Sequence, residues 1–349
     1  MANDLATRFF EVLYSGYEPD EGIEGVCQFV LRGDPGTTFH IDAGTSLTFH
    51  AGAHPSPRTM VSVPETILEK LLGEGVVDFR NPEIMQHIEI GGDERLATLL
   101  GNLLKQPDTT VAERLEAAEK LARASARVTE VERVERPSEA YILAAIEAGR
   151  PIVARNMLNH WKVLDWKLAD WKREWGNIVL RVKSAKERES LADIIDAMTA
   201  ADRSSARYSN GVVLPEQLQK FFKPPYFECR DDAFSAAQIW MGTASHDEPA
   251  THLHRDGGTG FLGHVFGKKR FLLYSPDQAP YLYPFKRYNG FQPCWVRPLA
   301  PNLAMYPLFK EARGLEVTLE PGDLLINPTG WFHEVYADEP VISVSYFLN

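Results

Sequence analysis

Apolar and polar positions alternate through the first hundred residues, in VCQFVLRG, TTFHIDAG, SLTFHAG and RTMVSV, with Gly, Asp and Pro punctuating the runs. A period of two puts one face of each segment inside, so these runs predict half-buried strands of a short antiparallel sheet. From Pro64 the spacing turns helical in VPETILEKLL. After a Gly-containing turn and a segment over 81–87, IEIGGDERLATLLGNLL closes the region, and Asp93 is placed to cap its helix. The pattern predicts one small α+β domain over residues 1–106.

KQPDTT is a polar connector, and VAERLEAAEKLARASARV after it has the Ala, Leu, Glu and Arg content of a helix with favourable charge pairs, a helical linker over 107–127. From Val128 onward short extended pieces and turns return. Trp161, Trp166, Trp171 and Trp175 crowd HWKVLDWKLADWKREW and read as packing anchors. Between Ala237 and Asn349 strand-like runs dominate: AAQIWMG, TGFLGHVFG, KRFLLYS, LEVTLE, DLLINP and VISVSYFL. Many short strands between Gly, Pro and Asp turns predict an all-β barrel or sandwich core for 128–349, not alternating βαβ units.

Charge narrows the function. Against 37 Lys and Arg stand 48 Asp and Glu, a net charge of −11. Attraction to a phosphate backbone is therefore not the expected source of affinity, no nucleic-acid partner is expected, and a neutral or basic substrate is favoured. No apolar run approaches the roughly 18–20 residues that cross a bilayer, and the first residues carry no signal-peptide core, so a cytoplasmic protein without a membrane span is expected. Cys27, Cys229 and Cys294 are odd in number and far apart, which predicts buried free thiols and no disulfide framework.

The chemistry concentrates in THLHRD. His254 and Asp256 are two apart, so on a strand they point to one side, as does His252. A His-x-Asp pair is weak alone, and His40-Ile41-Asp42 is a second one, read as ordinary strand polarity. Context separates them: LEPGDLLINPTGWFHEV follows the first pair and delivers His333 at the far end of a strand. Two imidazoles and one carboxylate make the facial set that leaves positions open on a non-haem Fe(II). An oxidisable dicarboxylate co-substrate would need a cation at the pocket's far end. Lys268, Lys269 and Arg270 offer one, and strand parity leaves Lys269 and the Lys268/Arg270 face as alternatives.

Thr251-x-x-His254-x-Asp256, Gly267-Lys268-Lys269-Arg270, Leu282-Tyr283-Pro284, Pro321-Gly322-Asp323, Trp331-Phe332-His333 and Ile342 to Phe347 stand in an order and spacing that resemble the jumonji-C, cupin-type Fe(II)- and 2-oxoglutarate-dependent oxygenases, in particular the hydroxylase branch. The resemblance implies a double-stranded β-helix (jelly roll) with flanking helices. It also implies that His254, Asp256 and His333 are catalytic iron ligands, and that O2 and 2-oxoglutarate bind beside them. By the same resemblance Lys269 pairs with the distal carboxylate of 2-oxoglutarate, assisted by Thr251 and by Tyr208 in SARYSNGVVLPEQL. Two positions depart from the hydroxylase pattern: Gly260 and Ser345 stand where that branch often has asparagine, which implies a looser pocket or compensation by His264 or Ser343.

Positions 5–105 resemble the sterol-carrier-protein-2-like domain, which implies an apolar cavity. The functions these resemblances imply are a hydroxylase of an unactivated carbon, foremost in a side chain of a peptide or protein, and a tailoring enzyme for a hydrophobic small molecule or natural-product peptide held by the front domain. A non-enzymatic cupin scaffold or carrier is the alternative from another class. A homodimer is expected from the resemblance alone.

Overall fold

The computed structural model describes residues 2–19, 24–33, 36–73, 84, 86–106, 108–180, 189–200, 208–223, 233–244 and 248–348. The segment over 81–87 and Cys229 lie partly or wholly outside them. The chain divides into two compact units, one of residues 1–113 with 280–311 and one of residues 114–279 with 312–349.

In the first unit β1 (Gly25–Arg32), β2 (Thr37–Ala43), β3 (Leu47–Ala51), β4 (Thr59–Pro64) and β5 (Glu89–Gly92) form a sheet in the order β3-β2-β1-β4-β5. Alternation sorts its faces. Cys27, Phe29, Leu31, Phe39, Ile41, Val61 and Val63 are buried. Leu5, Phe9 and Leu13 from the helix Ala2–Gly16 are buried with them, and the Phe9 and Phe29 rings meet edge-on at 4.9 Å. Asp93 caps the helix Glu94–Asn102, its carboxylate accepting from Arg95 N at 2.9 Å. The sheet is not purely antiparallel, because β1 and β4 run parallel. Alternation reports which face is inside and is silent on strand direction. The segment 280–311 adds the short strand β15 (Phe291–Pro293), and its Trp295 packs on Tyr17 at 6.0 Å between ring centroids.

The second unit is mixed, with antiparallel strands dominant. β6 (Glu132–Glu135), β7 (Ile152–Arg155), β10 (Tyr208–Val213), β11 (Gln238–Gly242), β13 (Thr259–Phe266), β17 (Leu324–Asn327) and β19 (Val341–Leu348) form one sheet in the order β10-β11-β19-β13-β17-β7-β6. β12 (Thr251–Asp256), β14 (Lys269–Tyr274), β16 (Leu315–Leu319) and β18 (Phe332–Tyr336) lie in the order β12-β18-β14-β16. Val179–Leu180 (β8) and Glu189–Ser190 (β9) make a separate small ribbon. From β11 to β14, and again from β16 to β19, successive strands change sheet, the winding of a jelly roll.

The helices Glu139–Glu147, Leu168–Trp175 and Leu191–Thr199 cover the larger sheet, and Trp161, Trp171, Ile194, Ile239, Phe261 and Val344 join in one buried cluster. Trp161 and Trp171 are fully enclosed, as packing anchors should be. Cys27 is buried and in no disulfide, and burial pushes its thiol up to about 12; Cys294 is half-buried and in no disulfide. Among the described residues no helix is long and apolar enough to cross a membrane.

Candidate functional site

The antiparallel pairing of β12 with β18 sets His254 directly opposite His333. Their ring centroids are 4.1 Å apart. Asp256, at the end of β12, brings Oδ2 to 3.7 Å from His333 Nε2. One ligand atom from each of the three lies within 4.8 Å of the others, and no second such group occurs among the described residues. His252 contributes its backbone carbonyl, 2.7 Å from His254 Nδ1.

A carbonyl only accepts, so His254 Nδ1 carries a proton, which leaves Nε2 as the nitrogen available to a metal. His333 Nδ1 lies 3.4 Å from the carbonyl of Trp331, just before its strand, and 3.3 Å from Asn327 Nδ2. Burial, with His254 beside it, holds the His333 imidazole well below its ordinary range, so it is neutral and ready to ligate. Two imidazoles and a carboxylate with room for further ligands suit a non-haem Fe(II) better than a closed structural zinc site.

Lys269 points into the barrel from β14 and is 1% exposed. Its ammonium sits 5.5 Å from the ring centroids of Tyr208 and Phe271 and 5.8 Å from that of Trp240. No carboxylate of the described residues pairs with it, and burial lowers its pKa from 10.5 to about 7. A desolvated cation held only by ring faces and one hydroxyl is a receptor for an anion. Lys268 and Arg270 face away, to Glu320 at 3.2 Å and Asp338 at 3.5 Å. Tyr208 Oη, close by, is buried with no hydrogen-bond partner, and burial raises its pKa, keeping it a donor. Thr251 lines the same cavity of about 80 Å³ with His254, Asp256, Lys269, Asn327 and His333.

The two departures from the hydroxylase pattern are legible here. A side chain at Gly260 would meet nothing closer than Phe347 at 3.9 Å, so that side of the cavity is open. Ser345 Oγ accepts from Trp240 Nε1 at 2.7 Å and so fixes the indole beside Lys269. His264, fully buried, adds a directed chain. Its Nε2 donates to Gly267 O at 2.7 Å, so its Nδ1 accepts from Ser343 Oγ at 3.0 Å, and Ser343 Oγ in turn accepts from Lys269 Nζ at 3.3 Å. Burial holds His264 down at about 3, so no second proton competes. Gly267 supplies the carbonyl at φ +74°, and a Cβ there would stand 2.1 Å from Pro340 O, which explains the glycine. Trp240 and Asn327 were not singled out in the sequence, since a strand tryptophan and a strand asparagine carry no motif of their own.

Residues 176–349 match the cupin-like domain family. The chain is 42% identical over 116 residues to tRNA wybutosine-synthesizing protein 5 of Homo sapiens, covering 33% of this chain and 36% of that protein. It is 28% identical over 135 residues to the bifunctional peptidase and (3S)-lysyl hydroxylase JMJD7 of Homo sapiens, covering 33% and 42%. It is 27% identical over 223 residues to lysine-specific demethylase 8 of Xenopus tropicalis, covering 57% and 48%. The chain thus spans between about a third and a half of the length of these relatives. With a relative named for tRNA among them, the acidic net charge is no ground for excluding nucleic acid.

Proposed function

We propose, from the membership of residues 176–349 in the cupin-like, JmjC-type family, that the chain is an Fe(II)- and 2-oxoglutarate-dependent oxygenase that hydroxylates an unactivated carbon, foremost in a side chain of a peptide or protein. The observation that carries the reading is the convergence of His254, Asp256 and His333 beside a buried ammonium without a carboxylate partner. His254, Asp256 and His333 would hold the iron. Lys269 would pair with the distal carboxylate of 2-oxoglutarate, and the hydroxyls of Thr251 and Tyr208 would donate to it. Iron and 2-oxoglutarate, when bound, would activate O2 as the oxidant, with one oxygen atom going to the substrate carbon, the other to succinate, and CO2 released.

The protein's share is positioning. The carbonyl of His252 would hold the His254 imidazole, and the Trp331 carbonyl and the Asn327 amide would position that of His333. The His264–Ser343 chain fixes the direction of the lysine, and Trp240, Phe271 and Phe347 give the cavity apolar walls. The test is succinate formation from 2-oxoglutarate by anaerobically iron-loaded protein after O2 is admitted, in wild type and His333→Ala. Turnover that vanishes in the variant is expected; wild-type protein that binds neither iron nor 2-oxoglutarate would return the scaffold reading.

A second reading has its own observation. The first unit encloses an apolar cavity of about 180 Å³ lined by Phe9, Phe29, Val61, Leu68 and Leu71 among others, with Lys105 at its edge. A hydrophobic small molecule or natural-product peptide held there, as in a sterol-carrier-like domain, would make the chain a tailoring hydroxylase. Retention of an apolar ligand by the full chain through purification, seen by mass spectrometry of the organic extract, tests it.

A further inference from the structure

A groove of about 720 Å³ in the second unit carries four arginines, Arg114, Arg123, Arg127 and Arg150, against one carboxylate, Asp277. In a chain of net charge −11 this is a local reversal of sign. Arg123 and Arg150 are partnered, by Glu119 at 3.3 Å and Glu132 at 3.4 Å. Arg114 and Arg127 are exposed and form no ion pair among the described residues.

The groove is built against the metal centre. Thr259, Pro328 and Thr329 line it, whereas their neighbours Gly260 and Asn327 line the metal cavity, so the two spaces share one wall. That wall is cross-tied by Gly330 N donating to Asp256 O at 3.1 Å and by the Thr259 and Thr329 hydroxyls at 3.2 Å. The helix Thr109–Ala124 borders the same groove with Arg114, Ala118 and Leu121, and Ala118 packs against Gly330, where an added Cβ would stand 2.8 Å away. Its other side is clamped to β12, because Glu119 pairs at 2.9 Å with Arg255, a 5% exposed side chain next to His254. The small Ala118 and Gly330 let the helix approach the turn closely, and the Glu119–Arg255 clamp ties the helix to the strand that carries His254.

We infer that this groove seats an acidic, aliphatic-rich segment of the substrate polypeptide while the target side chain reaches the metal centre; the inference rests on the oxygenase reading. Guanidinium forks select carboxylates. The apolar surface between them is aliphatic, from Leu121, Val128 and Ile146, and the one aromatic lining residue, Trp331, is 1% exposed. Without an exposed ring the groove offers no platform on which bases stack, which favours a peptide over single-stranded RNA. The net charge of the whole chain, which favours a neutral or basic substrate, is overridden here by the local field.

The test uses the full chain, wild type and Arg114→Gln/Arg127→Gln, with a fluorescein-labelled twelve-residue peptide of Glu, Ala and Leu and its Lys-for-Glu counterpart, read by fluorescence anisotropy. The acidic peptide is expected to bind, at least tenfold more weakly to the variant, and the basic peptide not to bind. Equal affinity for both proteins overturns the inference, as does tighter binding of unfractionated tRNA that is lost in the same variant. Cobalt(II) uptake at the metal centre, followed by its absorption, is unchanged in the variant and separates the two readings. Peptide binding by a chain that takes up no metal ends the oxygenase reading, and with it the groove's role in seating a substrate, and leaves the groove as a peptide-binding surface alone. Metal uptake with no peptide binding overturns the groove alone.

Discussion

Lys269→Met should make the metal-free protein more stable at pH 6 while abolishing its response to 2-oxoglutarate. The buried ammonium has a pKa of about 7 against an ordinary 10.5, three and a half decades of proton affinity. At ~1.36 kcal/mol per decade this is roughly 5 kcal/mol held against the folded state. Methionine removes that penalty and fits between Tyr208, Trp240 and Phe271, where sulfur–ring contacts are favourable. It also loses the bond to Ser343, worth about 1–2 kcal/mol, which leaves a net gain of about 3 kcal/mol. The sign follows from proton counting. Between pH 7 and 10.5 the unfolded lysine is protonated and the folded one is not, so wild-type stability rises with pH in that window. The variant's advantage is full below pH 7, shrinks by about 1.36 kcal/mol per pH unit above it, and is gone near about pH 9. Urea unfolding at pH 6, 7.5 and 9 reads it, and a variant less stable than wild type at pH 6, or a difference unchanged between pH 6 and 9, would refute the reasoning.

Ser343→Ala leaves the buried Nδ1 of His264 without its donor; a stability loss of about 1–3 kcal/mol and a several-fold higher 2-oxoglutarate requirement in the succinate assay are expected. Gly267→Ala forces a Cβ against Pro340 O at positive φ, and calorimetry should show a loss above about 2 kcal/mol. Glu119→Ala removes a carboxylate from buried Arg255 and should cost about 3 kcal/mol in urea unfolding, with weaker binding of the acidic peptide as the helix loosens.

The convergence of His254, Asp256 and His333 was legible because strand parity put the first two on one side and the antiparallel partner strand brings the third opposite them. The strands of the second half were legible for the same reason, since VISVSYFL and its neighbours are apolar runs bounded by turns. Strand direction was not, and the parallel β1–β4 pair is the result. The helix Glu139–Glu147 also escaped notice, because its apolar residues ring it instead of forming one stripe. Least visible was the arginine groove: Arg114, Arg127 and Arg150 are spread along the chain between acids, and only folding sorts the two signs onto different faces. The choice between Lys269 and its neighbours was open to the residues alone and is visible in the barrel, where Lys268 and Arg270 have acids outside.

The make-up of the first unit has a consequence for biosynthesis. Residues 1–113 are completed by 280–311, whose Tyr306 hydroxyl donates to Pro19 O and whose Lys286 pairs with Glu18 at 3.0 Å. During translation the ribosome must therefore add 198 further residues after Glu113 before the last of these partners emerges. At roughly 5–20 residues per second that is about 10–40 s in which the nascent front unit lacks part of its structure. The front unit is then a client for chaperones for that interval, and a fragment cut near residue 113 inherits the same deficit permanently.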